Sequence, residues 1–165
     1  MLKEEIGDAM DISAISCNRY SPGETVEGTF YDFSIYLALF DQDEIGSTFS
    51  ENYIEGTRIC VFSRDTMTIS NSPNEWVQFD LDIPFWFNGT DNLIVEFLWS
   101  SAETDDSCMY TWHWNTGTIR SINGEYESPT GTMSSLVIMF LFEGDLQLNS
   151  STFGSIKALL GSSGG

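Results

Sequence analysis

The chain has 165 residues, enough for one domain to bury a core without disulfide or metal staples. Hydrophobic residues make up 41% and aromatics 14%, which excludes a disordered polar chain, and 25 acidic against six basic residues leave a formal charge of −19. That field repels nucleic-acid phosphates and anionic membrane surfaces, so nucleic-acid binding is excluded and cationic partners are favoured, calcium being the simplest; the plainer alternative is a solvated acidic face.

No segment approaches the roughly 18 consecutive apolar residues of a membrane span, so membrane insertion is not expected. The start, MLKEEIGDAM, lacks the basic and apolar regions of a signal peptide. Cys17, Cys60 and Cys108 form an odd set at unrelated spacings, without a CxxC pair. They read as buried thiols, or as one bridge with a leftover thiol, and not as a zinc site.

Taken in chain order, the first strand is expected over Asp11 to Arg19, closed by the turn Ser21-Pro22-Gly23. A second follows over Thr29 to Leu39, with Phe33, Ile35, Leu37 and Leu39 on one face and Ser34, Tyr36 and Ala38 on the other. Phe40 to Gly56 is too polar for a strand and reads as a long excursion over one edge. Strands over Thr57 to Phe62 and Asp65 to Ser70 come next, then the turn 71–74 into a strand from Trp76 to Leu81. Phe85, Trp86 and Phe87 fall in an aromatic turn punctuated by Pro84 and Asn88-Gly89, before a strand over Asn92 to Trp99.

After the acidic loop Ser100 to Ser107, Met109 to Asn115 reads as a strand with Tyr110, Trp112 and Trp114 on one face. Arg120 to Tyr126 is a short strand or a hairpin broken at Asn123-Gly124. Ser135 to Phe142 is a continuous apolar run, the profile of a central strand buried on both faces. About eight strands at short spacing predict an all-β, two-sheet antiparallel sandwich, jelly-roll-like, over residues 1–144. Phe33, Ile35, Leu37, Val77, Phe79, Val95, Phe97, Ile138 and Phe140 would face its core. Residues 145–165 form a C-terminal tail: a polar spacer from Asp145 to Ser151, a short amphipathic segment with Phe153, Ile156 and Leu160 at helical spacing, and a Gly/Ser end.

The chemistry-bearing groups are sparse. A serine nucleophile needs a base, and the one histidine, His113, sits mid-strand among tryptophans with no GxSxG turn in the chain. Asp80 and Asp82 share a face while Glu96 stands alone, so no carboxylate pair for glycoside hydrolysis is evident. The expectation is a chain that is not an enzyme. Hard oxygen ligands gather only at Asp41, Asp43 and Glu44 and at Glu103, Asp105 and Asp106, the two candidate calcium loops; neither matches an EF-hand, and no other cofactor is expected. Exposed aromatics over polar neighbours would make a platform for sugar rings or for another protein, which makes Trp86, Tyr110, Trp112 and Trp114 candidate contacts alongside Phe153, Ile156 and Leu160; the alternative is ordinary core packing.

The residues TFYDFSIYLALF, then Asn52-Tyr53, EWVQFDLDIPFWFNGTDNLIVEFLW and YTWHWNTG carry a resemblance. Up to about Phe142 the chain resembles the β-sandwich modules of large secreted and surface proteins from Bacteroidetes-like and uncultured environmental bacteria. The resemblance implies a non-catalytic module and carries over no catalytic residue. At its start the chain departs from that pattern, having only MLKEEIG where similar modules have a further stretch of strand, so a shortened first strand with an open neighbouring edge is expected. The resulting expectation is an extracellular or cell-surface module for adhesion or head-to-tail self-assembly, with itself or other surface proteins as partners. The alternative is a carbohydrate-binding module that takes a polysaccharide.

Overall fold

The computed structural model describes residues 1–19, 25–104, 111 and 113–146. In chain order these form a short helix, Lys3–Ile6 (α1), and the strands Met10–Asn18 (β1), Val26–Phe40 (β2), Ile59–Asn71 (β3), Trp76–Phe87 (β4), Asn92–Leu98 (β5), Ser101–Ala102 (β6), His113–Asn115 (β7), Ser121–Asn123 (β8), Thr132–Ser134 (β9), Leu136–Ile138 (β10) and Phe140–Leu146 (β11). A single 3-10 turn, Phe49–Asn52, interrupts the excursion between β2 and β3. The fold is all-β, and no helix among the described residues is long and apolar enough to cross a membrane.

Two antiparallel sheets face each other. One has the order β11-β1-β4; the other has β3-β2-β5, with β6 pairing β2 beyond the end of β5. Period-two strands must turn one face inward, and the inward residues here are Ile12, Ile15 and Cys17 of β1 and Phe79, Phe85 and Phe87 of β4 against Phe33, Ile35, Leu37, Val61 and Leu93 of the opposite sheet. The Phe33 and Phe79 rings stack across the interface at 5.8 Å, with Phe62 edge-on to both. Val77, Val95, Phe97, Ile138 and Phe140 pack against this core while half-buried.

Strict alternation fails where the backbone is re-aimed. Phe30 and Phe33 are both buried while Tyr31 and Asp32 between them are exposed, because Asp32 adopts φ 51°, which resets the inward face. Ser100 holds that kink, its N–H donating to the Tyr31 carbonyl at 3.0 Å and its hydroxyl to Asp32 Oδ2 at 2.6 Å. The same kink separates β5 from β6.

Several sequence expectations are corrected. The strands over 57–62 and 65–70 are one strand, β3, because β2 is fifteen residues long and offers a partner from Val26↔Asn71 to Leu37↔Ile59, with one register shift between Ile35 and Tyr36 opposite Val61. Phe85, Trp86 and Phe87 are not in a turn. Opposite the register shift between Ile12 and Ala14, residues 81–84 bulge out, with Pro84 placed where no ladder N–H is needed, and β4 then resumes as Ile12↔Phe85, Asp11↔Trp86 and Met10↔Phe87. The turn is at 88–91, where Asn88 Oδ1 accepts the N–H groups of Thr90 and Asp91 at 2.9 and 3.0 Å.

The apolar run 135–142 is not one central strand: it breaks at Met139 into β10, which pairs β7, and β11, an edge strand beside β1 that continues through Asp145 and Leu146. Of the two alternatives for 120–126 the short strand is the one found, as β8, and the hairpin at Asn123-Gly124 is not: β8 pairs with β9 across residues 124–131. Nor is the first strand short of partners. β1 is nine residues long and is paired on both sides, so an open edge has to be sought elsewhere.

Candidate binding groove along strand β5

β5 is that edge. Its Leu93 exchanges both backbone hydrogen bonds with Met1, N–H to Met1 O at 3.0 Å and Met1 amine to Leu93 O at 2.8 Å, on the side away from β2. In an antiparallel ladder the outward-facing residues recur every second position, so Val95 and Phe97 turn their N–H and C=O groups the same way. Among the described residues no backbone group pairs with them there. They open instead onto a groove of about 980 Å³.

The walls follow from the topology. On the core side Phe97 stacks on Phe140 at 6.0 Å, extending the aromatic array from Phe33 and Phe79 to the sheet edge. Val137 and Ile138 of β10, Ile122 of β8, the loop from Gly124 to Ser128, and Phe49 and Tyr53 of the excursion complete the lining. The excursion is held by Asn52, whose side chain bridges Gly46 and Thr48 with bonds of 2.7 to 3.1 Å, and by the Thr48↔Thr130 bridge.

On the outer side of β5 lies a polar cluster. Glu96 Oε2 accepts from the Tyr53 hydroxyl at 2.9 Å and from Arg58 Nε at 2.8 Å, and the guanidinium lies 3.6 Å over the Tyr36 ring. Burial, reinforced by the Glu96 carboxylate, pushes Tyr53 up to about 12. Burial works against the Arg58 cation, but the bond to Glu96 prevails and holds it above its ordinary value. At the far end Arg120 grips Glu5 through both guanidinium nitrogens; burial opposes ionisation of Glu5, yet that bond keeps its carboxyl below the usual range. These pairs leave Glu125 and Glu127, both exposed, as charges on the groove wall.

The sequence-predicted site residues are scattered. Trp86 lies on the outer face of β4 beside Asp11, and Trp114 is exposed on β7, outside the groove lining. Tyr110, Trp112, Phe153, Ile156 and Leu160 lie outside the described residues. Asp41, Asp43 and Glu44 are exposed, and Asp43 accepts from Asn92 Nδ2 at 3.3 Å. Glu103 is exposed while its N–H donates to Thr29 O; Asp105 and Asp106 lie outside the described residues. Among the described residues no three His, Cys, Asp or Glu side chains gather as metal ligands. His113 lines the groove with Nε2 at 3.2 Å from Thr111 Oγ1.

The groove residues Tyr36, Tyr53, Arg58, Phe97 and Trp99 were not singled out from sequence as a site. One signal pointed to them: Glu96 is a lone charge inside an apolar strand, and such a charge needs a partner. Compared with protein-family models, curated proteins and solved structures, the chain matches none.

Proposed function

We propose that this protein is a non-enzymatic β-sandwich module that binds an extended polypeptide strand along β5, and that it serves adhesion or assembly outside the cell or at its surface. The observation that carries this reading is the β5 edge, open among the described residues, inside an apolar groove. Folded proteins ordinarily cover, shorten or charge their sheet edges, whereas here Val95 and Phe97 present ladder groups between apolar walls, with Met1 already seated on the adjoining rung at Leu93. Main-chain pairing would supply affinity and the two walls specificity. The extracellular setting rests on the resemblance to surface-protein sandwich modules.

The test is a random dodecamer peptide library selected on the intact protein, followed by the Val95→Pro variant, which removes the outward N–H without touching the bonds to β2. Binders that lose at least tenfold in affinity on V95P support strand addition. A selection yielding no binder sensitive to V95P rejects it.

A carbohydrate-binding module is the second reading, favoured by Trp76 and Trp86, both exposed on the outer face of β4. Soluble polysaccharide that quenches tryptophan fluorescence in the wild type and not in Trp86→Ala would move that reading to the front.

A further inference from the structure

Resting on the strand-acceptor reading, we infer that the occupant of the β5 groove is the segment Thr152 to Leu160 of a second copy of this chain. Charge selects it. All 25 acidic residues lie within residues 1–146, and residues 147–165, QLNSSTFGSIKALLGSSGG, contain none and carry Lys157. Two other long stretches contain no acidic residue, 107–124 and 128–142, but they contribute β7 and β8, and β9, β10 and the start of β11, to the fold itself; residues 147–165 meet the acidic sandwich with attraction.

The pattern of the segment also matches the groove. A strand added to β5 continues both faces of its sheet. With the segment extended, Thr152, Gly154, Ile156, Ala158 and Leu160 fall on one side and Phe153, Ser155, Lys157 and Leu159 on the other. The first set suits the core side, where Phe97, Phe140 and Ile138 are half-buried. The second falls on the outer side of β5, where Lys157 meets the carboxylate of Glu96 and Phe153 and Leu159 meet the rings of Tyr36 and Tyr53, with Glu125 and Glu127 also on the groove lining.

A second copy is favoured over the chain's own tail by direction. β11 starts at Phe140, stacked on Phe97 at the groove, and its last residue, Leu146, is six residues on, roughly 20 Å away. A tail returning to its own groove must reverse at once within residues 147–151; a tail crossing to a neighbour needs no reversal. Groove and tail are different surfaces, so the contact is head-to-tail and propagates or closes into a ring.

The experiment uses the full chain in sedimentation velocity at 0.15 and 1 M NaCl, with V95P as the groove variant and Ile156→Asp/Leu160→Asp as the tail variant, whose substitutions lie outside the described residues. The wild type is expected to form oligomers and each variant alone to be at least tenfold weaker. The two mixed are expected to yield a 1:1 heterodimer, since V95P keeps a tail and the tail variant keeps a groove. A synthetic peptide of residues 150–162 should cap wild-type oligomers. A wild type that is monomeric at both salt concentrations, or oligomers that survive the tail substitutions, overturns the inference. If it falls while V95P still abolishes binding of library peptides, the strand-acceptor reading stands with a foreign partner; if V95P affects no peptide, both fall together.

Discussion

Cys17 illustrates how a single residue reports on the core. Its side chain lies between the sheets, wholly buried on the middle strand of one of them, and burial pushes the thiol up to about 12 from an ordinary value of 9.0. A raised thiol pKa means that the folded state holds its proton more tightly than the unfolded state. The stabilisation is therefore complete below pH 9 and is lost as pH rises from 9 towards 12, at about 1.4 kcal/mol per pH unit. Tyr53 adds a loss of the same sign only above its ordinary value of 10, so the interval from pH 9 to 10 isolates the thiol among the shifted groups. The urea midpoint of the wild type is expected to fall across that interval, while that of Cys17→Ala, lower at the outset because of the cavity, stays level. Equal slopes for both proteins would show that this thiol is not buried. The sequence supported buried thiols only as one of two readings, since spacing cannot tell a small core hydrophobe from half of a bridge; Cys17 is free and buried, and Cys60 is free and half-buried.

At the level of strands, what was legible was whatever depended on local period. Residues 33–37 of β2 and the first half of β4 follow the alternation that any half-buried strand must have, and Phe33, Ile35, Leu37 and Phe79 all reach the core as expected. What was not legible depended on partners distant in sequence. An apolar run such as 135–142 reads the same whether it is one strand buried on both faces or two pieces assigned to different sheets, and only the pairing of β10 with β7 and of β11 with β1 separates the cases. The groove was hidden for the same reason, because an edge is defined by the absence of a neighbour and not by composition. Gly144 marks where β11 depends most on close approach. A Cβ built there would lie 1.9 Å from the Asp11 carbonyl oxygen, opposite the irregularity between Ile12 and Ala14. Backbone, unlike a flexible side-chain end, cannot step aside cheaply. Gly144→Ala is expected to cost about 2–3 kcal/mol and to raise amide exchange along β11 first. Exchange rates unchanged in β11 would mean that the two strands are not in register as described.

On the scale of the molecule, charge sets the terms for every association. With −19 on 165 residues, repulsion strains the folded chain and any contact between copies, and both effects are long-ranged enough to be screened by ordinary salt. Three of the five basic side chains among the described residues are committed to single carboxylates, Arg58 to Glu96, Arg64 to Asp82 and Arg120 to Glu5. Melting temperature should therefore rise with sodium chloride between 10 and 500 mM, and the oligomer fraction should rise alongside it. Calcium distinguishes screening from a built site. If divalent cations act only through the acidic field, calcium and magnesium chloride at matched ionic strength will shift the melting temperature equally. A site that uses Glu103 with Asp105 and Asp106 would instead favour calcium, raise the melting point by mass action, and lose that advantage in Asp105→Asn. The first outcome is expected from the exposed and unconverged carboxylates of Asp41, Asp43 and Glu44, and a calcium-specific shift that survives Asp105→Asn would point back to that loop.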